Sequence, residues 1–450
     1  MKLTVFQSGK GDCLLLTGAD GKRMLVDGGI APSYSEHVAP ALNALRANNE
    51  IVDVVYLSHI DDDHIGGILQ MMDDEVAWRI HEFQVSHGNP THTAPKAPRP
   101  AKMKAIWHNA FHDLVDDNKG EIEDMLAASS AILSGSDHPA IKELASEQAE
   151  LVTSIAQSIQ LTKRVGVNQL GLKLNVPAHG KLMLVRPNTA PAIKLGGMRL
   201  KIIGPFSEDL KNLRTEWNAW LEKNKAQLKK IQDDAKGDES QFSASEIDDI
   251  ILPKLQQADL LSELQPLNEL ATAGIKLGDR KKVTTPNLAS LMFFVEEAGK
   301  TLILTGDGHH SDIRKGLERI KKLKAGKGLH VDVLKLQHHG SEHNIDLPFC
   351  QSVTADNYVI CGNGQHENPD LAVLDAIIAS RRGKPDQLSS NPEAGNSFKI
   401  WMNCDSSQSP NAAAEAHMKE VEKLISKAAN DSNGKLSFFF LKGSSFELEI

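Results

Sequence analysis

Residues 59–64 read His59-Ile60-Asp61-Asp62-Asp63-His64, and this run decides the fold. Four potential metal ligands, His59, Asp61, Asp63 and His64, follow the apolar stretch Val52 to Leu57, which reads as a buried strand. Imidazole and carboxylate donors suit zinc, manganese or iron. In a tight loop alternate side chains point the same way, so His59 and Asp61 can serve one ion, and Asp63 and His64 a second ion beside it. Three adjacent aspartates also repel one another unless cations offset the charge. The competing reading is a solvated acidic turn that happens to hold two histidines. Ile65-Gly66-Gly67 points to a helix packed closely against the loop, and a cluster at the C-terminal end of a buried strand is where α/β sheets place their sites.

Working outward, Lys2 to Phe6 and Cys13 to Thr17 read as strands, Asp20-Gly21 as a hairpin turn, and Arg23 to Val26 as a return strand ending in Asp27-Gly28-Gly29. Ser35 to Ala47 has helical spacing, with Val38, Leu42 and Leu45 on one face. Far downstream, three more apolar runs end in Asp or His. Leu302-Ile303-Leu304 precedes Thr305-Gly306-Asp307, Lys335-Leu336 precedes Gln337-His338-His339-Gly340-Ser341, and Tyr358 to Cys361 precedes Gly364-Gln365-His366. One such strand end would be chance; three beside an intact first cluster argue against the acidic-turn reading. Lys181 to Val185, Met198 to Ile203, Leu288 to Val295 and Ser397 to Met402 also read as strands, and Leu436 to Ile450 as a closing hairpin. Two helical stretches, about 110–165 and 207–272, read as insertions. The simplest architecture is one domain, 1–450, of two β-sheets face to face with helices outside, the N-terminal half supplying one sheet and the C-terminal half the other.

Composition narrows the class. The 450 residues are 40% hydrophobic and 24% charged, which suits a globular chain with a real core. A net charge of -9 and 5% aromatic residues argue against a surface that grips nucleic acid throughout. The local run Arg314, Lys315, Arg319, Lys321, Lys322, Lys324 and Lys327 could bind a phosphate backbone. The plainer reading, favoured by the buried stripe Leu317, Ile320 and Leu323, is the solvated face of a helix. Cys13, Cys350, Cys361 and Cys404 form no Cys-x-x-Cys pair. The N-terminus is too soon polar for a signal peptide, and no apolar stretch reaches the roughly 18 residues of a membrane helix. These readings place the chain in the cytoplasm, away from membranes.

In this order of motifs the sequence resembles the metallo-β-lactamase superfamily, whose signature is His-x-His-x-Asp-His. Here Asp61 stands at the second histidine, as in the hydrolase domain of the DNA-uptake competence channel ComEC and its stand-alone relatives. Gly9-Lys10-Gly11-Asp12-Cys13, Leu25-Val26-Asp27-Gly28-Gly29, Asn287-Leu288-Ala289-Ser290-Leu291, Thr305-Gly306-Asp307, His338-His339-Gly340-Ser341 and Gln365-His366 match that branch in sequence order. The channel's membrane helices are absent. The isolated histidine that many members carry between the first cluster and the late aspartate also has no counterpart, the corresponding stretch being Ile202-Ile203-Gly204-Pro205.

The resemblance implies an α/β fold, the αββα sandwich of two mixed sheets with helical insertions, and a centre for two divalent cations, zinc or manganese. His59, Asp61 and a late histidine would hold one ion, and Asp63, His64 and a late histidine the other. Asp307 would bridge, and His338 then His339 are the first choices for the late positions. A hydroxide formed between the ions would attack phosphorus or carbonyl carbon. Asp63 could orient it, and His366 could ligate or give a proton to the leaving oxygen. Asp12 and Asp27 could hold ligand histidines by their other nitrogen, or simply accept backbone N–H groups in turns. Ser341 and Asn287 could bind substrate oxygen, Asn287 having a structural role as its alternative. The leading function is a metal-dependent phosphodiesterase or nuclease acting on a nucleic acid or nucleotide. The alternatives are a hydrolase of esters, lactones or thioesters, and a metal-containing regulatory module that docks a protein partner through the insertions.

Overall fold

The computed structural model describes residues 1–109, 157, 160–161, 163–208, 290–324 and 326–450. Nearly all of these lie in one compact unit built from Met1–Ala110, Gln160–Asp209 and Leu277–Ile450. The two helical insertions fall almost wholly outside the described residues, as does Asn287.

Two mixed sheets form the unit. The first runs β15-β1-β2-β3-β4-β5-β6, with β1 Lys2–Phe6, β2 Leu14–Thr17, β3 Arg23–Val26, β4 Ile51–Tyr56, β5 Lys102–Trp107, β6 Lys173–Leu174 and β15 Ser445–Glu449. The second runs β14-β13-β12-β11-β10-β9-β8-β7, with β7 Ile193–Leu195, β8 Met198–Gly204, β9 Met292–Glu297, β10 Lys300–Leu304, β11 Leu329–Lys335, β12 Val353–Ile360, β13 Phe398–Met402 and β14 Leu436–Phe440. β3 to β6 pair in parallel, as do β10 to β14; the remaining pairs are antiparallel.

Period-two alternation explains why both faces of each sheet are buried. In β4, Val54 and Tyr56 face the second sheet, while Val55 and the following Leu57 face the helices Ala39–Ala47 and Asp62–Ser86. In the second sheet Leu302, Val333 and Val359 point inward. Ile303, Leu334 and Tyr358 point outward, under the helices His310–Arg319, Leu347–Ser352, Leu371–Arg382 and Ala412–Asn430. Each buried aliphatic side chain contributes about 1.5–3 kcal/mol. This is the αββα sandwich that the resemblance implies. Among the described residues no helix is long and apolar enough to cross a membrane.

Three sequence expectations are corrected. The halves of the chain do not map one to one onto the sheets: β7 and β8 belong to the second sheet, and the last strand, β15, crosses to the first and pairs antiparallel with β1. The closing residues 436–450 are therefore not a hairpin. β14 lies parallel to β13 at the edge of one sheet, and β15 places Phe446 and Leu448 opposite Val5 and Leu3 in the core between the sheets. Lys181 to Val185 forms no strand; Met183 is instead tied by its backbone to the Asn109 side chain in both directions.

The helix Asp62–Ser86 is seated on glycine. Gly28 donates to the His64 carbonyl, Gly67 to that of Gly29, and Gly29 to that of Asp12, each at 2.7–2.8 Å. A Cβ on Gly67 would overlap the Gly28 carbonyl, and one on Gly11 the Asp63 carbonyl. By contrast, a Cβ on Gly66 would sit 3.1 Å from Asp62 Oδ1, which can rotate away, and 3.3 Å from Ala31 N. Gly67→Ala is therefore expected to cost about 1–3 kcal/mol through overpacking. Gly66→Ala should be near neutral, since alanine's helix propensity returns up to about 1 kcal/mol. Urea unfolding of the two variants checks the contrast; equal effects would overturn it.

Candidate metal centre

β4 delivers Leu57-Ser58-His59 to the edge of the sandwich, where the chain turns into the helix Asp62–Ser86. His64 N and Ile65 N both donate to the Asp61 carbonyl at 2.9 Å. Asp62 and Asp63 thus occupy the first helical turn, where the helix dipole favours carboxylates. His64 is fully buried. Its Nδ1 lies 3.0 Å from Asp27 Oδ2, and that carboxylate also accepts Ser58 N and Ser58 Oγ at 2.7 Å each. With Nδ1–H given to Asp27, Nε2 is left as a lone pair facing the interior.

The late histidines arrive by an unusual backbone. His338 and His339 have φ of 46° and 55°, two consecutive non-glycine residues in the left-handed region. Each costs of order 1–3 kcal/mol and persists only where surroundings enforce it. His338 N donates to the Gly306 carbonyl at 3.2 Å, and Ser341 N to the His338 carbonyl at 2.8 Å. His338 Nδ1 meets Asn344 Oδ1 at 2.7 Å, and Asn344 Nδ2 donates to the Asp307 carbonyl at 2.8 Å. His339 Nδ1 meets the Cys361 carbonyl at 2.9 Å. Both rings therefore have Nδ1 engaged and Nε2 turned toward Asp307.

Asp307 is the hub. His64 Nε2 lies 3.3 Å from its Oδ1, and His339, His59 and His338 Nε2 lie 3.4, 3.6 and 3.8 Å from its Oδ2. His59 Nε2 is also 3.5 Å from Asp61 Oδ2, His339 Nε2 is 3.2 Å from Asp63 Oδ2, and His64 and His339 Nε2 are 3.4 Å apart. Most of these separations are long for hydrogen bonds, but two ligands about 2.1 Å from a tetrahedral ion stand about 3.4 Å apart. His59 Nε2 and Asp307 Oδ1 are buried without a hydrogen-bond partner. Inward-facing lone pairs, a partnerless carboxylate oxygen and ligand-edge spacings fit divalent cations.

Charge tells the same story. Burial raises the Asp307 carboxyl, but His64, His339, His338 and His59 more than offset it and hold the group well below the usual range. Burial likewise works against Asp63, yet His339 and His64 bring it down. Burial disfavours the charged rings of His64 and His339, but Asp307 leads a set of carboxylates that pushes both well up. His338 goes the other way, lowered by burial and by its neighbour His339. The carboxylates thus favour positive charge at the very nitrogens that would face a bound cation.

The structure thus brings His59, Asp61, Asp63, His64, Asp307, His338 and His339 into one cluster, with Asp27 and Asp12 behind it. Asp12 also lies close enough to count as a ligand beside His64, Asp307 and His339. It approaches from the Nδ1 side, however, 3.3 Å from His339 Nδ1 and 3.9 Å from His64 Nδ1, away from the Nε2 lone pairs. Two expected site residues make no side-chain hydrogen bond or ion pair with the cluster. His366 is exposed on the turn Gln365–Glu367 and makes no ion pair with the cluster. Ser341 is buried in the turn after His339, where its Oγ accepts His343 N at 3.4 Å. Sequence reasoning missed Ser58, Asn344 and above all Lys335, a lysine only 1% exposed whose Nζ pairs with Asp12. No local signal marks Lys335, since its strand Leu329–Lys335 also carries the polar His330 and Asp332.

Residues 8–124 match the family model of the metallo-beta-lactamase superfamily. The match covers Asp12, Asp27 and the cluster at 59–64, and stops short of Asp307 and the late histidines. No curated protein matches the chain.

Lys335 and Asp12 join the two sheets in a dry place, and removing one partner leaves a buried uncompensated charge. Lys335→Met is expected to cost about 3–5 kcal/mol in urea unfolding. Asp12→Asn combined with Lys335→Met should recover more than half of that loss. Simple additivity of the two single losses would show that the pair is not coupled.

Proposed function

We propose that the protein is a metal-dependent hydrolase that cleaves phosphodiesters, as a phosphodiesterase or nuclease acting on a nucleic acid or nucleotide. The observation that carries this reading is the set of donors around one carboxylate. His59, His338 and His339 face Asp307 Oδ2 and His64 faces Oδ1, while Asp61 stands beside His59 and Asp63 beside His339. Such a set would hold two divalent cations, with mixed imidazole and carboxylate donors appropriate to zinc or manganese. The superfamily match over residues 8–124 supports a metal-dependent hydrolase in general, and the ComEC-like substitution of Asp61 for a histidine favours phosphodiesters.

With two divalent cations bound, the centre would supply a hydroxide at neutral pH and a clamp for the attacking and leaving oxygens of an in-line displacement. The chain's own residues do the rest. Asp27 and the Cys361 carbonyl hold the Nδ1 protons of His64 and His339 and keep both Nε2 atoms available. Asp63 Oδ2, beside His339 Nε2, is placed to accept a proton from the attacking water and fix its direction. Asp61 and His338 are the most open members, 30% and 25% exposed, and mark the side from which a diester enters. His366, on its exposed turn, takes no step in this scheme.

The test is turnover of an aryl phosphodiester by chelator-stripped protein after addition of manganese or zinc. Activity should appear only with metal. Asp27→Asn should weaken metal affinity about 10–100-fold, as loss of a histidine's carboxylate partner does. Asp307→Ala should lose more than that, in both affinity and turnover. Tight metal uptake without diester turnover under any metal would sink the reading.

A further inference from the structure

The basic run 314–327 carries seven lysines and arginines against a single acid, Glu318, in a chain of net charge -9. Two of the seven are used internally. Lys315 stacks over Phe206, with Nζ 3.9 Å from the ring centre, and Lys322 pairs with Glu296 beside Phe294. Arg314, Arg319, Lys321, Lys324 and Lys327 have no ion-pair partner among the described residues.

The helix Ala412–Asn430 arranges its exposed lysines differently. On it, Lys419, Lys423 and Lys427 each meet a carboxylate three or four residues away: Glu415, Glu420 and Asp431. A solvated face is built there by interleaving signs. Around 314–327 the signs are segregated, and like charges held together repel unless something anionic covers them. The same segment borders a cavity of about 300 Å³ whose lining includes the cations Arg314 and Lys324, the polar Gln351 and Ser352, the apolar Leu323 and one acid, Glu318.

Position adds the second argument. Asp307 follows the C-terminal end of β10, the helix His310–Arg319 runs back along the outer face, and β11 then starts at Leu329. The basic run therefore lies at the opposite end of the strands from the metal centre. From the first to the last of its seven residues β11 spans about 20 Å, at about 3.3 Å per step. At about 3.4 Å per phosphate along one strand of a duplex, that gap corresponds to about six phosphates.

We infer that residues 314–327 and their cavity form a polyanion-binding exosite that grips the phosphate backbone of a nucleic acid strand remote from the metal centre. The inference rests on the phosphodiester reading for what happens at that centre, but binding at the exosite is measurable without turnover. Only a strand long enough to bridge the gap engages both places, so the exosite favours polynucleotides over nucleotides and small diesters.

The test compares full-length parent, the variant Arg319→Glu/Lys324→Glu/Lys327→Glu, and the control Lys419→Glu/Lys423→Glu/Lys427→Glu, which changes net charge equally. Fluorescence anisotropy reads binding of a labelled single-stranded oligonucleotide of about twenty nucleotides, with chelator present, across salt concentrations. The exosite variant should bind at least tenfold more weakly, with the log–log salt slope flattened by about 2 for three lost contacts. The control should bind as the parent does, and aryl phosphodiester turnover by the metal-loaded proteins should be the same in all three. Equal weakening in the two variants would reduce the effect to net charge and overturn the inference. So would a parent that does not bind the oligonucleotide, or one that prefers phosphatidylserine vesicles to it. Oligonucleotide binding that depends on the exosite, with no turnover of any diester, would leave the exosite standing and overturn the phosphodiester reading instead.

Discussion

A buried carboxylate with four imidazoles aimed at it sets the terms for this molecule. Asp307 is 2% exposed, and among the described residues its Oδ1 accepts no hydrogen bond. Removing an ionised carboxylate from water without compensation costs several kcal/mol, so the surrounding groups must supply positive charge or hold something that does. The two sheets supply those groups from opposite sides. The first brings His59, Asp61, Asp63 and His64 off the end of β4, and the second brings Asp307, His338 and His339 off the ends of β10 and β11. The sandwich has to be in register for the centre to exist, and the contacts nearest the centre fix that register. Gly28 and Gly67 touch backbone to backbone, and Lys335 in one sheet pairs with Asp12 beside the other.

The same region is where the structure holds its least favourable features. Left-handed histidines, a buried lysine and several carboxylates sharing a small volume all work against stability. They are tolerated because the apolar layers on either side are extensive and each strained residue is tied at more than one atom. Asn344 illustrates the economy: one side chain holds His338 Nδ1 through its oxygen and the Asp307 carbonyl through its nitrogen. A change at Asn344 would release a ring and a backbone turn together.

The sequence was legible where chemistry constrains residue type over a short span. The His/Asp run at 59–64, Asp307 after an apolar strand, and His338-His339 after another could each be read because a metal centre tolerates few substitutes at those points. The two-layer sheet architecture followed from the alternating and apolar runs. What could not be read was pairing between distant segments. Nothing local distinguishes Lys335 from a surface lysine at a strand end; its partner, Asp12, is more than three hundred residues away. Residues 436–450 have the alternation and the glycine-containing loop of a hairpin, and only the partners β13 and β1 decide that the two strands part. His366 was drawn toward the site because it follows a strand in motif order, but its turn leaves it exposed. Motif order speaks to which strand end a residue occupies and not to the direction of its side chain.

The left-handed pair has a geometric consequence that bears on the missing histidine. The stretch 202–205 offers no imidazole, so a symmetric donor set around Asp307 needs two rings from a single turn. In an extended strand, adjacent side chains point to opposite faces and could not both reach one carboxylate. With both residues at positive φ, the chain folds back on itself. The His338 and His339 rings stand 5.8 Å apart at 73° to one another, yet both Nε2 atoms lie within 4 Å of Asp307 Oδ2. The His339 ring also stands beside His64, with their Nε2 atoms 3.4 Å apart. The strain at 338–339 is thus tied to the donor count: relaxing either residue to an extended conformation would turn one ring away and leave three histidines where four now converge.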